Sequence, residues 1–398
     1  MHRTVIYYHR LQFPSESGQT IQVLRDYHAL ASLEDSVHLI YRDVGFPTAF
    51  DESSALQDYG LELLPTFHLH PLVEGGSGKQ RLRELVRKII RDTPGDVVFL
   101  MTRTLDHARA ALALRKEIRQ PVLKVVLELH ETAIPHMIYR EQGRRFRALF
   151  SHFLEKRVFS MLDGIICTVG SQQVLLDDLY PAHSPVAILP NGVPAHLLNT
   201  APVQRESEVK KFRLGYAGQF NAWKNVDVII ESLKYLPGHV VLAIAGGKAD
   251  DEQSIREALM VLAARAGVAD RVDYVGFLPP CQVPEFLAGM DALLLPLGDN
   301  AQSRHFTSPM KLFEYAASGV PMVVTRQPTT VSLIWDGVHG LMCEPGSAQS
   351  MAAQVAKLLS SPTMGFELAS QARKWVEQHT YDKRATRLAG FFDSLAAV

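Results

Sequence analysis

The chain has 398 residues, 47% of them hydrophobic, enough for two domains with a core in each. With 41 basic against 42 acidic residues, the formal net charge is −1, which excludes the positive excess of a general nucleic-acid binder. Three scattered cysteines, Cys167, Cys281 and Cys343, offer neither a disulfide framework nor a zinc site and suit a reducing cytoplasm.

Short apolar runs then alternate with longer helical periodicities. The runs predict strands at Val5–Tyr8, Val37–Tyr41, Val97–Met101, Val122–Leu127, Gly164–Thr168 and Val186–Leu189. Helices fall between them, for example Thr20–Ser32 and Leu105–Ile118. The polar, aperiodic "NTAPVQRESEVKK" (Asn199 to Lys211) reads as a linker. Beyond it the alternation restarts, with strands at Leu214–Ala217, Val240–Ala245, Val272–Val275, Ala292–Leu295, Met322–Thr325 and Leu341–Glu344. Helices around Ala352–Leu359 and Gly365–Glu377, and another from Tyr381, close the chain. The expected fold is α/β, with two doubly wound Rossmann-like domains facing a cleft: residues 1–198, a linker 199–212, and 213–380.

Three features follow strands of the second half, on the side where such sheets bind ligands. "YAGQFNAWKNVD" places Gly218 after a strand and Lys224 near a helix start, a donor aimed at the cleft. "DYVGFLPP" turns tightly at Gly276–Pro279, where exposed amides suit the edge of a base. "SPMKLFEYAASGVP" opens a helix, with Ser308 as N-cap and Pro309 at the first position, so free amides and the positive dipole end form an anion site. This helix has little polar face, so Glu314 is expected to be partly buried. Its simplest partner is Lys311 at i,i+3; the alternative is a ligand. A carboxylate beside a phosphate site suits a ribose diol, so the three features together point to a nucleoside diphosphate. Their bland readings are a surface lysine, an ordinary turn and a helical ion pair.

The order of these motifs resembles the retaining glycosyltransferases of glycosyltransferase family 4, which have the GT-B fold. The resemblance runs through "LPNGVP", "YAGQFNAWKNVDVIIESL", "VDYVGFLPPCQVPEFLAGMDALLLP", "SPMKLFEYAASGVPMVV" and "GLMCEPG". It implies that Glu314 holds ribose hydroxyls and Lys224 the donor diphosphate, beside Gly218 and Gln219. Amides from Ser308 through Met310, Lys311 and Leu312 would take a phosphate, and Phe277 and Leu278 would border the base. In the first domain, Gly18 of "FPSESGQTIQVLRDYHAL" would approach the phosphates and His130 of "LELHETA" would face the donor sugar. Arg103, Glu128 and Thr307 are further cleft candidates. The helix at 381–398 would cross back onto the first domain.

Two positions depart from the family pattern. Phe306 stands where a first glutamate is usual, eight residues before Glu314, and Gln219 stands where an arginine often accompanies the lysine. Members with "SPxKLFEY" resemble a sub-group lacking the first glutamate. The expected function is therefore metal-independent hexosyl transfer with retention. The donor is a nucleoside diphosphate sugar, UDP before GDP, and the acceptor a glycan, a lipid-linked acceptor or a small molecule, as in polysaccharide biosynthesis. No cofactor is expected. The rival readings are a sugar-nucleotide epimerase or hydrolase of the same fold, and a non-catalytic nucleotide- or glycan-binding subunit.

Asp177–Asp178 and Asp250–Asp251 are not set as a metal-holding pair after a strand. "GGSGK" (Gly75 to Lys79) imitates a phosphate loop, but Val73 and Gln80 break the pattern. No apolar run reaches the ~18 residues of a membrane span. "YREQGRRFRALFSHFLEKRVF" (Tyr139 to Phe159) carries six basic and two acidic residues beside an apolar stripe of Phe146, Leu149, Phe150, Phe153, Leu154 and Val158. The first expectation is that this stripe packs into the domain; the second is peripheral contact with anionic lipid on the inner face of the membrane.

Overall fold

The structure is a computed structural model. It describes residues 3–15, 17–33, 35–42, 52–57, 59–72, 78–93, 95–118, 121–130, 133–199, 211–220, 224–247 and 251–397. The chain divides into two compact units, Met1–Pro190 with Tyr381–Val398, and Asn191–Thr380.

The first unit is built on β1 (Arg3–Gln12), β2 (Ser36–Arg42), β3 (Phe67–Leu72), β4 (Val97–Thr102), β5 (Val122–Glu128), β6 (Gly164–Cys167) and β7 (Val186–Ile188). Every pairing is parallel, in the order β3-β2-β1-β4-β5-β6-β7. The register sets Val5 opposite Val37 on one side and Phe99 on the other. Unbroken apolar runs such as "VVFLMT" are what a strand covered on both faces requires, and β4 is buried throughout. β3, "FHLHPL", has no such run. It is an edge strand, where Pro71 is tolerated and His68 and His70 alternate with buried Phe67 and Leu69.

The second unit repeats the plan with β8 (Phe212–Ala217), β9 (Val240–Ala245), β10 (Val272–Gly276), β11 (Ala292–Leu295), β12 (Met322–Thr325) and β13 (Leu341–Cys343). Their order is β10-β9-β8-β11-β12-β13, again all parallel. The boundary between the units falls at Pro190, not at 198. Asn191 is tied to Ser308, and the Val193 amide donates to the His379 carbonyl at 2.9 Å, so this stretch belongs to the second unit. Of the expected linker, 200–210 lie outside the described residues, and Phe212 already pairs in β8.

The last helix, Tyr381–Ala396, is part of the first unit. Leu388, Phe392 and Leu395 enter the core with Val5 and Phe99, and the Phe99 and Phe392 rings stack at 4.2 Å. Gly164 makes room for it: a Cβ there would stand 2.8 Å from both Leu395 and Phe391 side-chain carbons. The helix Arg145–Phe159 corrects the packed expectation. Phe146, Leu149, Phe150 and Phe153 are 92%, 72%, 66% and 63% exposed, whereas Val158 and Phe159 are buried. The charged-to-apolar periodicity is real, but the core takes the face that holds Ala148, Ser151 and Glu155. Of the "GGSGK" segment, residues 75–77 lie outside the described residues, and Gly78 begins the helix Gly78–Asp92.

Candidate active site

In the second sheet β9 lies on one side of β8 and β11 on the other. Loops part at such a point, and open parallel sheets bind ligands beyond the carboxyl ends of their strands there. β8 leads into Gly218 and Lys224; the chain after β11 leads to the helix Met310–Ser318.

Three strands end in glycines that lie backbone to backbone. The Gly218 amide donates to the Ala245 carbonyl at 2.8 Å, the Gly246 amide to Gly276 at 2.8 Å, and the Gly247 amide to Gly218 at 3.2 Å. A Cβ on Gly246 (φ +126) would lie 2.0 Å from the Gly218 carbonyl oxygen, and one on Gly218 would lie 2.0 Å from Cε of Lys311. The Lys311 side chain therefore crosses Gly218, in space that any other residue would fill. The Gln219 carbonyl accepts the Tyr216 hydroxyl at 2.9 Å, and the Ala217 amide donates to the Tyr315 hydroxyl at 3.1 Å, so the loop start is pinned from two sides.

Lys224 and Lys311 face the same region as Glu314. Burial, then the charge of Lys311, pull Lys224 down to about 7, with Glu314 opposing. Burial also lowers Lys311, again against Glu314. No hydrogen bond or salt bridge among the described residues joins Lys311 to Glu314, so the simple i,i+3 pair is not formed. Both ammonium groups feel the Glu314 carboxylate at longer range.

The helix start differs from the expected cap. Pro309 is the N-cap residue and no side chain caps the helix. Ser308 is not available for that purpose: its hydroxyl accepts the Asn191 amide at 3.2 Å and its carbonyl accepts the Asn191 side-chain amide at 2.7 Å. The Leu312 amide donates to Pro309 at 3.0 Å, so it too is taken. The Met310 and Lys311 amides have no partner among the described residues and keep the anion-binding potential of a helix start. Thr307 is buried and its hydroxyl donates to the Gln302 carbonyl at 2.8 Å. Phe306 ends a π-helical turn, Gln302–Phe306, and is 3% exposed, so its ring packs inward. Phe277 and Leu278 are half-buried in the turn after β10, and their amides make no hydrogen bond among the described residues.

In the first unit the switch point lies between β1 and β4. Gly18 is the exposed first residue of the helix Gly18–Ala31, capped by Ser17, which accepts the Thr20 amide at 3.1 Å. Arg103 follows β4, Glu128 ends β5 and His130 comes just after. They form one network. His130 Nε2 donates to Glu128 at 2.8 Å, and its Nδ1 accepts from Arg103 at 3.3 Å, which assigns the neutral tautomer. Burial and Arg103 lower its pKa to about 4, although Glu128 opposes them. Glu128 is 5% exposed, which corrects its reading as a cleft residue: it lies beneath the histidine and holds it. Burial would raise its pKa, but the His130 hydrogen bond and Arg384 outweigh that and hold it well below the carboxylate range.

Arg384, Gln22 and Asp26 complete the network and were not singled out in the sequence. Arg384, 4% exposed, pairs with Asp26 at 3.1 Å and Glu128 at 3.3 Å, and its Nε donates to the Pro190 carbonyl. Gln22 donates to both carboxylates and accepts from Arg103 at 2.9 Å. Burial pushes Asp26 up to about 6 against the pull of Arg384. The partners lie far apart in the chain, and no local spacing announces them.

Comparison with known proteins bears on both units. The profile of the family described as glycosyl transferases group 1 matches residues 199–375. A D-inositol 3-phosphate glycosyltransferase of Xylanimonas cellulosilytica is 24% identical over 59% of this chain and 57% of its own length, so this chain spans little more than half of that relative. Sucrose-phosphate synthase from Thermosynechococcus elongatus superposes with a TM-score of 0.78 at 16% identity, covering 100% of both chains. The Anabaena protein HepE, solved with UDP-glucose, gives 0.71 at 15% identity over 99% of this chain and 100% of that one. Two parallel-sheet α/β units with these likenesses constitute the GT-B fold, and residues 199–375 are similar to the glycosyl transferases group 1 family.

Proposed function

We propose that the protein is a retaining glycosyltransferase that moves a hexosyl group from a nucleoside diphosphate sugar, UDP before GDP, to a glycan, lipid-linked or small-molecule acceptor. One arrangement carries this reading: Lys224 and Lys311 beside Glu314 and the free Met310 and Lys311 amides, at the carboxyl edge of the second sheet. The lysines and amides fit a diphosphate, and Glu314 fits a ribose diol. The bound UDP-glucose of HepE, a protein of the same fold, supports the choice of base.

As the glycosidic bond breaks, negative charge grows on the leaving diphosphate. Lys224, Lys311 and the helix start stabilise it, which is electrostatic catalysis directed at the transition state. The departing phosphate then takes the acceptor proton on the same face, so no protein nucleophile is required. Lysines supply the countercharge that a divalent ion would otherwise bring, and turnover is expected to persist in EDTA. His130 is neutral with both nitrogens engaged, so it serves as a fixed wall for the sugar and not as a general base.

The test is a thermal-shift panel of nucleotides and nucleotide sugars, followed by turnover with anomeric configuration read by NMR. Glu314→Ala and Lys224→Ala are each expected to lose at least about tenfold in donor use, the scale of one charge-assisted hydrogen bond. Undiminished turnover by both variants would remove the reading, and free sugar released without acceptor would favour a hydrolase.

We place the acceptor side at an anionic bilayer. Among the described residues no helix is long and apolar enough to cross a membrane. The exposed Phe146, Leu149, Phe150 and Phe153 are flanked by Arg144, Arg145 and Arg147, a combination suited to interfacial binding. Flotation with anionic vesicles at low salt tests this; Phe146→Glu with Phe150→Glu should abolish it, and no flotation of the wild type would end the idea.

A further inference from the structure

The first unit holds a second cluster, away from the Glu128–His130 network. It joins the helix Pro135–Glu141 to the helix Arg145–Phe159. His136 lies in the first turn of the former, and His152 and Glu155 lie three residues apart on the latter. One ring nitrogen of each histidine and one oxygen of Glu155 fall within 4.8 Å of one another.

Glu155 is completely buried. Its Oε1 accepts the His136 amide at 2.8 Å and the Ser151 hydroxyl at 2.9 Å. Its Oε2 meets His136 Nδ1 and the Tyr180 hydroxyl, each at 2.5 Å, and these two stand 3.0 Å apart. Three polar atoms thus form a triangle no wider than a hydrogen bond. The His152 ring stands against it, 4.9 Å from His136 and 5.1 Å from Tyr180 between centroids. Its Nδ1 is buried and has no hydrogen-bond partner. An unsatisfied buried nitrogen costs about 1–3 kcal/mol, so its presence beside a carboxylate and a second imidazole calls for an occupant.

We propose that His136, His152 and Glu155 bind a zinc-type divalent cation, with Tyr180 or water in the fourth position. Two imidazoles and one carboxylate suit a borderline metal and not magnesium or calcium, which prefer oxygen donors throughout. Donors on a tetrahedral ion with bonds of about 2.0 Å stand about 3.3 Å apart, so modest side-chain rotation closes the set. The ion takes the place of the proton between His136 and Glu155 and satisfies the orphan nitrogen of His152. It would staple together the helix bearing the exposed Phe146–Phe153 face and its neighbour. This site is separate from the donor machinery and carries no step of the transfer.

The experiment uses the purified full chain, stripped with chelator and then titrated with Zn2+ by calorimetry and with Co2+ by visible absorption. One ion per chain, tetrahedral Co2+ bands and a Zn2+-dependent rise in Tm are expected. His152→Ala removes no hydrogen bond of Nδ1, so it should fold and weaken binding by at least about tenfold; His136→Ala with His152→Ala should abolish it. His38→Ala, in the separate His38–His70 pair on β2 and β3, should leave binding unchanged. Equal affinity and stoichiometry in the wild type and the His136–His152 double variant would overturn the assignment, as would the absence of Co2+ bands.

Discussion

Raising the pH should loosen the grip on a nucleotide sugar through Lys224. In the empty site this lysine gives up its proton at about 7 instead of the usual 10.5, because it is buried and faces Lys311. A diphosphate returns the favourable partner that burial removed, so binding above neutrality must draw a proton from solution. The affinity then falls with a slope that approaches tenfold per pH unit, about sixteenfold or ~1.7 kcal/mol between pH ~7 and pH ~8.5. UDP-glucose is a suitable probe, since its esterified diphosphate does not titrate in this range. Calorimetry at constant ionic strength, with chelator present, reads the profile. Lys224→Met should bind weakly at pH ~6 and show no slope. The unliganded protein should show the opposite trend. A lysine with a depressed pKa contributes stability that is complete above 10.5 and lost as pH falls through about 7, so Tm of the empty protein rises across that window. A flat profile in the wild type, or the same slope in Lys224→Met, would refute the assignment of Lys224 to the diphosphate.

Gly218→Ala should expel the Lys311 side chain, whose Cε lies 2.0 Å from the new methyl, and so cost donor affinity at least about tenfold, measured by calorimetry, while far-UV circular dichroism stays unchanged. Arg384→Met should strand Asp26 and Glu128 in the core and destabilise the first unit by ~3–5 kcal/mol in chemical denaturation, with the second unit's transition unmoved. Because His130 titrates at about 4, the acid limb of kcat/KM should lack a step near the usual histidine value of about 6.5. A step there that disappears in His130→Asn would contradict the neutral-wall role.

The sheet scaffold was legible in the sequence because strands covered on both faces must be continuously apolar, and "VVFLMT", "VVLAIA" and "ALLL" are. β3 escaped because an edge strand is under no such demand, so "FHLHPL" carries histidines and a proline. Gly218 and Lys224 could be proposed because they follow the end of β8, and Lys311 and Glu314 because they lie in the helix that a Ser-Pro pair announces. Ser308 misled for a physical reason. A serine before proline is a natural cap, but Asn191, the first residue of the second unit, occupies its hydroxyl and carbonyl, and that partner is 117 positions away. Arg384 is more distant still, 256 positions from Glu128. The apolar stripe of Arg145–Phe159 shows the converse limit. Helical spacing reveals that a face exists, and only packing reveals whether protein covers it.

The last helix also sets an order of events during synthesis. The first unit's core includes Phe392 against Phe99, and its buried charges are balanced by Arg384, yet both residues lie beyond the whole of the second unit. A ribosome that has released residues 1–190 has therefore made a sheet with one uncovered apolar flank and an Asp26–Glu128 pair that lacks its Arg384 countercharge. The second unit, contiguous from Asn191 to Thr380, has no such debt and can fold as soon as it emerges. The amino-terminal half of this protein is thus the last to be finished, and any truncation of the final turns strikes the first domain, not the one it adjoins in the chain.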